Sequence, residues 1–283
     1  MPNICEQTTT HPQYTIPYRV LSQYLPTRER QVEVHATPQE IQQLVNQGYL
    51  VLESLLNAEG LAQLRAALDE IEAMERQDKD VTSGGFGGLF MRHLPDKHPV
   101  FTQMVKFPPT LSIARAVLGP LVQIRGFSAR ISYPNEPNQE VQWHIHQQVI
   151  SDPLPPFFVH PHGLDCLIYL DDLNDANGPL CFLPTSHWNT RYHTPNQDRE
   201  EKPGQVIVRA PAGSCVIIHS NLWHRALPTT PAGTKRRLLI ITYTPTWMKQ
   251  APYGVKPQNG LTQELLQTGD EEVRELLGLG GYT

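Results

Sequence analysis

A chain of 283 residues with a formal net charge of −5 and 39% hydrophobic residues is long enough for one large domain or two small ones. It has no long basic run to mark a nucleic-acid or anionic-membrane partner, its longest apolar run (residues 238–241) is far too short to cross a bilayer, and its N-terminus lacks the apolar core of a signal peptide. Cys5, Cys166, Cys181 and Cys215 form no C-x-x-C pair and the last three lie in apolar runs, so they read as buried free thiols in a soluble, cytoplasmic protein acting on a small molecule.

Residues 1–36 are rich in Thr, Pro and Gln with little periodicity, which predicts an extended arm preceding a single domain over residues 37–283. In Thr37-Pro38-Gln39-Glu40 the threonine caps a helix, the proline takes its first position and the glutamate completes a capping box. Ile41, Leu44 and Val45 then share one face of that helix. Tyr49-Leu50-Val51-Leu52 is a short strand, and residues 58–74 form a second helix with Leu61, Leu64, Leu68 and Ile71 at helical spacing. Gly84-Gly85-Phe86-Gly87-Gly88-Leu89-Phe90 has neither the Lys-Ser or Lys-Thr nor the leading apolar strand of a phosphate loop, and reads as a mobile loop or lid. From residue 122 onward, β-type runs recur between turn signals at 122–131, 141–146, 166–170, 205–210, 214–219 and 238–243. That cadence is the mark of an all-β barrel or sandwich. A short terminal helix over residues 270–277 ends at Gly278.

Gln142-Trp143-His144-Ile145-His146 places two imidazoles at i and i+2, which on a strand puts both on one face, half of a metal site. A third is available from Asn221-Leu222-Trp223-His224. Between them lie Asn177-Gly178-Pro179-Leu180 and Leu183-Pro184-Thr185-Ser186-His187, and Lys235-Arg236-Arg237 leads into the apolar strand that follows. In order and spacing this series resembles the core of the phytanoyl-CoA dioxygenase family of mononuclear non-haem iron(II) and 2-oxoglutarate oxygenases, which carries W-H-x-D, then N-G, P-G-S-H, a distal histidine and an arginine.

The resemblance implies an all-β core with flanking helices, the double-stranded β-helix or jelly roll of cupin type. It also implies Fe(II), 2-oxoglutarate as co-substrate, and dioxygen used to hydroxylate a small-molecule substrate while the oxo acid becomes succinate. On this alignment His144 and His224 are metal ligands and His146 stands where the family has aspartate. Three readings of His146 stay open: it ligates and the site has three histidines; a carboxylate such as Asp165 or Asp152 enters instead; or the metal centre is weakened or lost. A three-histidine iron dioxygenase that uses no 2-oxo acid, and a non-catalytic binding jelly roll, are the alternatives at the level of function.

The planar fork of an arginine suits the distal carboxylate of 2-oxoglutarate. The resemblance assigns this to Arg236, with Arg237 as the alternative, since alternation turns the two to opposite faces. Arg130 and Ser132, on the strand before the ligand pair, are candidates for further hydrogen bonds to co-substrate or substrate. Trp143 and Trp223 should pack behind the site, His187 should be structural, His219 should face away from His224, and His160 and His162 should be loop or substrate-contacting residues.

Overall fold

The computed structural model describes residues 4–5, 11–21, 26–76, 88–134, 136, 140–146, 163–189, 198–249 and 260–279. Its centre is built from strands whose side chains alternate between two apolar environments. β12 (Arg236–Pro245) lies between β5 (Val122–Ser132) and β7 (Leu164–Tyr169), and β7 in turn pairs with β10 (Cys215–His219). With β3 (Tyr49–Leu52) and β4 (Leu89–Met91) at the edges, these make a six-stranded antiparallel sheet in the order β3-β10-β7-β12-β5-β4. Every residue of β7 is buried, as expected of a strand covered on both faces.

One face of this sheet, carrying Phe127, Ala129, Ile131, Cys166, Ile168, Leu239, Ile241 and Tyr243, packs against helices. These include α1 (Pro38–Gln47), α2 (Ala58–Glu75), α3 (Pro99–Gln103), α4 (Pro108–Leu118) and α6 (Glu271–Leu276); α5 (Leu261–Gln267) lies at the rim. The other face, with Leu167, Tyr169, Val216, Ile218 and Leu238, meets Leu180 and Phe182 of a second sheet. That sheet has the order β6-β11-β8-β9, from β6 (Val141–His144), β11 (His224–Ala226), β8 (Leu180–Phe182) and β9 (Val206–Ile207). Two facing antiparallel sheets with helices on one outer side are the jelly roll expected from the motif series.

The entry to α1 follows the sequence closely. Thr37 Oγ1 accepts from the Glu40 N–H at 3.2 Å while Glu40 Oε2 accepts from the Thr37 N–H at 2.7 Å, and Gly48 closes the helix in the left-handed region at φ 84°. Elsewhere the structure departs from expectation. The arm predicted over residues 1–36 contains an antiparallel hairpin, β1 (Tyr14–Val20) with β2 (Arg28–Val34), in the register Tyr14↔Val34. Val32 and Val34 are buried, and the Tyr18 hydroxyl donates to the Arg115 carbonyl on α4 at 3.2 Å. In β2 charged residues surround Val32 and Val34 and mask the alternation, whereas β1 alternates openly apart from Pro17, which is tolerated because β1 is an edge strand.

Helices α3 and α4 open on prolines, Pro99 and Pro108. Burial inside the helical layer, more than any amphipathic pattern, defines α4. The tail holds two helices where one was expected, the second capped by Asp270, which accepts from the Glu272 and Val273 N–H groups. The predicted strand at 205–210 shortens to Val206–Ile207, and that at 141–146 stops at His144. Of the Gly-rich segment, residues 84–87 lie outside the described residues; Leu89–Met91 forms β4. No described helix is long and apolar enough to cross a membrane.

Candidate metal centre and anion pocket

Antiparallel pairing sets the first two histidines. β6 ends at His144 and β11 begins at His224, and the register places these residues directly opposite each other, so both rings emerge on one face with centroids 4.2 Å apart. His146 lies just past the end of β6, its backbone N–H donating to the Ser220 carbonyl at 2.8 Å. Its ring centroid is 5.4 Å from that of His144 and 4.7 Å from that of His224. One nitrogen from each ring lies within 4.8 Å of the others, and these are the only three such residues among those described that gather in this way.

Each ring is oriented from behind. His144 Nδ1 is 2.9 Å from the Gln142 carbonyl and His224 Nδ1 is 2.8 Å from the Leu222 carbonyl, so each Nδ1–H is donated and each Nε2 keeps its lone pair. His146 Nδ1 is 2.7 Å from Asp165 Oδ2. This contact is close but off the N–H axis, and Oδ2 has no aligned hydrogen-bond donor; Oδ1 accepts from Thr242 Oγ1 at 2.6 Å. One nitrogen from each of three rings, with Nδ1 of His144 and His224 held by a backbone carbonyl and Nδ1 of His146 beside the Asp165 carboxylate, forms a donor set suited to Fe(II) or a similar divalent ion.

The electrostatics separate the three rings. Burial, and then the neighbouring His146, push the His144 imidazole down to about 4; burial, then His144 and His146, push His224 well below its ordinary value. Both are therefore neutral near pH 7, the form a metal requires. Burial also pushes His146 down, but the Asp165 carboxylate more than offsets it and holds that ring above its ordinary value. Asp165 is itself fully buried; burial raises it, and His146, Thr242 and Arg125 together bring it below the usual carboxylate range. Of the two carboxylates considered as substitute ligands, Asp165 stands behind His146 and Asp152 lies outside the described residues.

On β12 the two neighbouring arginines part company. Arg237 turns outward and forks onto Asp171 at 2.9 and 3.0 Å and Asp69 at 3.0 and 3.1 Å. Arg236 turns inward and is only 2% exposed. Its Nη2 donates to Ser132 Oγ at 3.0 Å, its Nη1 to the Gly178 carbonyl, and its Nε has no partner. Among the described residues no carboxylate comes within ion-pair distance of it, an unusual state for a buried guanidinium. Arg130, opposite Leu238 on β5, shares the inward face; burial, then Arg236, lowers it to about 10. Tyr169 pairs with Leu238 from the other side, its phenol pushed to about 12 by burial.

The Asn177-Gly178 pair holds this corner. Gly178 sits at φ 70°, and a Cβ there would meet the Leu227 carbonyl at 2.5 Å and Arg236 Nη1 at 3.1 Å. Asn177 Oδ1 accepts from the Thr234 N–H at 2.7 Å, fixing the loop that delivers Arg236 to the start of β12. Trp143 and Trp223 pack with Cys181 on the far face of the small sheet, behind the histidines. His187 is buried with Nε2 2.9 Å from the Val45 carbonyl, and His219 stacks near it at 5.1 Å between centroids, away from the three-histidine cluster. His160 and His162 lie outside the described residues. Sequence reasoning gave no role in its preferred reading to Asp165, and none at all to Tyr169, Thr242 or Arg125. A lone carboxylate inside the apolar run 164–170 was the one available signal.

A model of the phytanoyl-CoA dioxygenase (PhyH) family matches residues 44–237. Among characterised relatives, ectoine dioxygenase of Bordetella parapertussis is 29% identical over 156 residues, covering 52% of this chain and 48% of that protein. L-proline trans-4-hydroxylase of Streptomyces griseoviridis is 24% identical over 223 residues, 69% of this chain and 82% of that protein. The chain thus spans about half the length of the ectoine dioxygenases it matches. In three dimensions it is similar to HygX of Streptomyces hygroscopicus crystallised with nickel, 2-oxoglutarate and hygromycin B, with TM-score 0.63 and 17% identity over 76% of this chain and 90% of that one. It is also similar to SnoK, a non-heme alpha-ketoglutarate-dependent carbocyclase from nogalamycin biosynthesis, with TM-score 0.61 and 18% identity over 75% and 85% of the two chains. At these identities the likeness establishes the fold.

Two outcomes follow from the geometry. Gly178→Ala forces a left-handed backbone and a clash with the Leu227 carbonyl, so it should destabilise the protein by about 1–3 kcal/mol in urea unfolding; wild-type stability would show that the corner yields. For the metal-free protein, His144 has a folded value of about 4 against 6.5 for the free side chain. Between those values the unfolded chain binds the proton and the native ring does not, so stability should fall as pH drops from about 6.5 toward 4. Replacing His144 by Gln should lessen that fall and leave the share contributed by His224, measured by urea midpoints at a series of pH values.

Proposed function

The chain belongs to the phytanoyl-CoA dioxygenase family, and on that premise we propose that it is an iron(II)- and 2-oxoglutarate-dependent oxygenase hydroxylating a small-molecule substrate with dioxygen. The observation that carries the proposal is the pairing of two unfilled sets of groups on the same face between the sheets. Three imidazoles offer Nε2 lone pairs, and a buried Arg236 offers donors with no carboxylate to receive them. In this reading His144, His146 and His224 hold the metal. Arg236, steadied by Ser132, takes the distal carboxylate of the oxo acid, and Arg130 supports it from the next position on the sheet. Iron(II), when bound, supplies the coupling of dioxygen reduction to oxo-acid decarboxylation. The apolar wall of Leu167, Ile218, Leu238 and Phe182 keeps water from the carboxylate clamp.

The histidine in place of the family's aspartate leaves the ligand set one negative charge short. Asp165, buried 2.7 Å behind His146, returns that charge through the imidazole ring. A carboxylate on the remote nitrogen raises the basicity of the ligating one, so the site keeps three ligands and its overall charge balance. A three-histidine dioxygenase that uses no 2-oxo acid would need the same ligands but no anion clamp, and Arg236 favours the oxo-acid reading. Four cysteines that stay free and buried support action in the reducing cytoplasm.

The direct test is succinate formation from 2-oxoglutarate with Fe(II) under air. Arg236→Ala should weaken 2-oxoglutarate binding by about 2–4 kcal/mol, the scale for removing one partner of a desolvated charge pair. Arg237→Ala, whose side chain faces Asp69 and Asp171, should stay near wild type. A wild-type protein that binds Fe(II) yet neither binds nor consumes 2-oxoglutarate would sink the proposal in favour of the oxo-acid-independent dioxygenase. Asp165→Asn should lower affinity for Co(II), titrated anaerobically by its visible absorption, by roughly 10–100-fold; unchanged affinity would reduce Asp165 to a packing residue.

A further inference from the structure

β5 carries an irregularity beside the histidine cluster. Across β12 and β5 the register runs Thr242↔Gly126 and then Tyr243↔Ile124, which leaves Arg125 as the extra residue of a β-bulge. The bulge reverses the alternation of the strand. Phe127, Ala129 and Ile131 face the helical layer on one side of it, and so do Val122 and Ile124 on the other. Arg125 is therefore turned to the inward face, with Ser128 and Arg130, instead of into the helices. Bulges next to active sites commonly re-aim a side chain in this way. Its neighbour Gly126, opposite Thr242, leaves open space where a side chain would stand. Thr242 in turn donates to Asp165, so the bulge lies across one strand from the carboxylate that backs His146.

Arg125 is partly exposed, and among the described residues it makes no hydrogen bond or ion pair, yet its charge is felt at both His146 and Asp165. The charge balance of the loaded site shows what is missing. With iron(II) and the 2-oxoglutarate dianion both bound their charges sum to zero, so the inward arginines Arg125, Arg130 and Arg236 still outnumber Asp165, the carboxylate behind His146. In the oxygenase reading Arg236 and Arg130 face the oxo acid, and Arg125 is the inward cation that has no assigned anion.

We propose that Arg125 is a substrate-specificity residue, binding a carboxylate or phosphate group on the molecule to be oxidised and holding it beside the three-histidine centre. The inference rests on the oxygenase reading and narrows it to anionic substrates. The planar guanidinium, delivered by the bulge at the Thr242 end of β12, is six register positions along the strands from Arg236 at the other end, far enough to serve a second anion. The substrate is thus tethered by its charge while an uncharged C–H bond is presented to the metal.

The test uses the full chain loaded with Zn(II), which is diamagnetic and redox-inert, and saturating 2-oxoglutarate, so that the Arg236 site is filled. Ligand-observed NMR then compares N-acetylglycine with N-acetylglycinamide and phenyl phosphate with phenol. At least one anion should bind about tenfold or more tightly than its neutral counterpart, the scale of a charge-assisted hydrogen bond. That preference should vanish in Arg125→Gln and persist in part in Arg125→Lys, with circular dichroism reporting the fold of each variant. In the wild-type protein the preference should also shrink as ionic strength rises, a measurement that needs no variant to fold. A carboxylate-only or phosphate-only preference names the substrate group. Equal binding of charged and neutral probes, no anion binding, or a preference that survives Arg125→Gln would overturn the assignment. The 2-oxoglutarate affinity, measured first, reports separately on the oxygenase reading: its absence removes both proposals, whereas tight binding without anion preference removes only the role of Arg125.

Discussion

His144 and His224 face each other across the antiparallel pair β6 and β11, and a one-residue slip in that pairing would send one ring to the core and the other to the far side of the sheet. The register is held on the back by Trp143, Cys181 and Trp223, whose bulk fits only if the histidines point the other way. It is held along the edge by Phe182, which pairs with His224 from β8 and plants its own ring in the core between the sheets. The placing of the histidine cluster is thus a by-product of apolar packing. The tryptophans that precede each histidine decide which way the histidines look.

The same logic explains how a cationic residue persists in the interior. A guanidinium taken out of water costs several kcal/mol unless its donors are met. Arg236 is met on two of its three nitrogens by groups that are themselves fixed, the Ser132 hydroxyl and the Gly178 carbonyl. The remaining deficit is an Nε donor with no partner among the described residues. Arg237, one residue on, has its carboxylates already and nothing left to offer. Two identical side chains in sequence thus have opposite fates because β-strand alternation gives them different solvents.

Much of this was legible in the residues themselves. The i, i+2 histidines, the capping box at Thr37, the separation of Arg236 from Arg237 and the outward packing of Trp143 and Trp223 all follow from local rules whose period is short. What the sequence concealed is non-local. In β2, Val32 and Val34 stand among Arg28, Glu29, Arg30 and Glu33, which carry little strand signal, and in α4 the successive residues Pro109 to Arg115 are all buried, so burial there does not follow one helical face. The bulge at Arg125 depends on a register between strands more than a hundred residues apart, and no window along β5 announces it. Asp165 was visible as a lone carboxylate among apolar neighbours, but its task depends on where His146 comes to rest after β6 has ended.

Arg30 on the hairpin donates to the Pro120 carbonyl at 2.7 Å and to both carboxylate oxygens of Glu275 at 2.9 Å, across 245 residues of chain. Glu275 belongs to α6, whose Glu272 also takes Arg115 of α4 at 2.6 Å. An early hairpin and a late helix are therefore clasped on the same support. During synthesis at about 5–20 residues per second, that clasp closes on the order of 10–50 s after Arg30 is made. For that interval β1 and β2 lack one of their anchors while the strands between the hairpin and α6 are still emerging. Ribosome pausing late in the message would lengthen that interval.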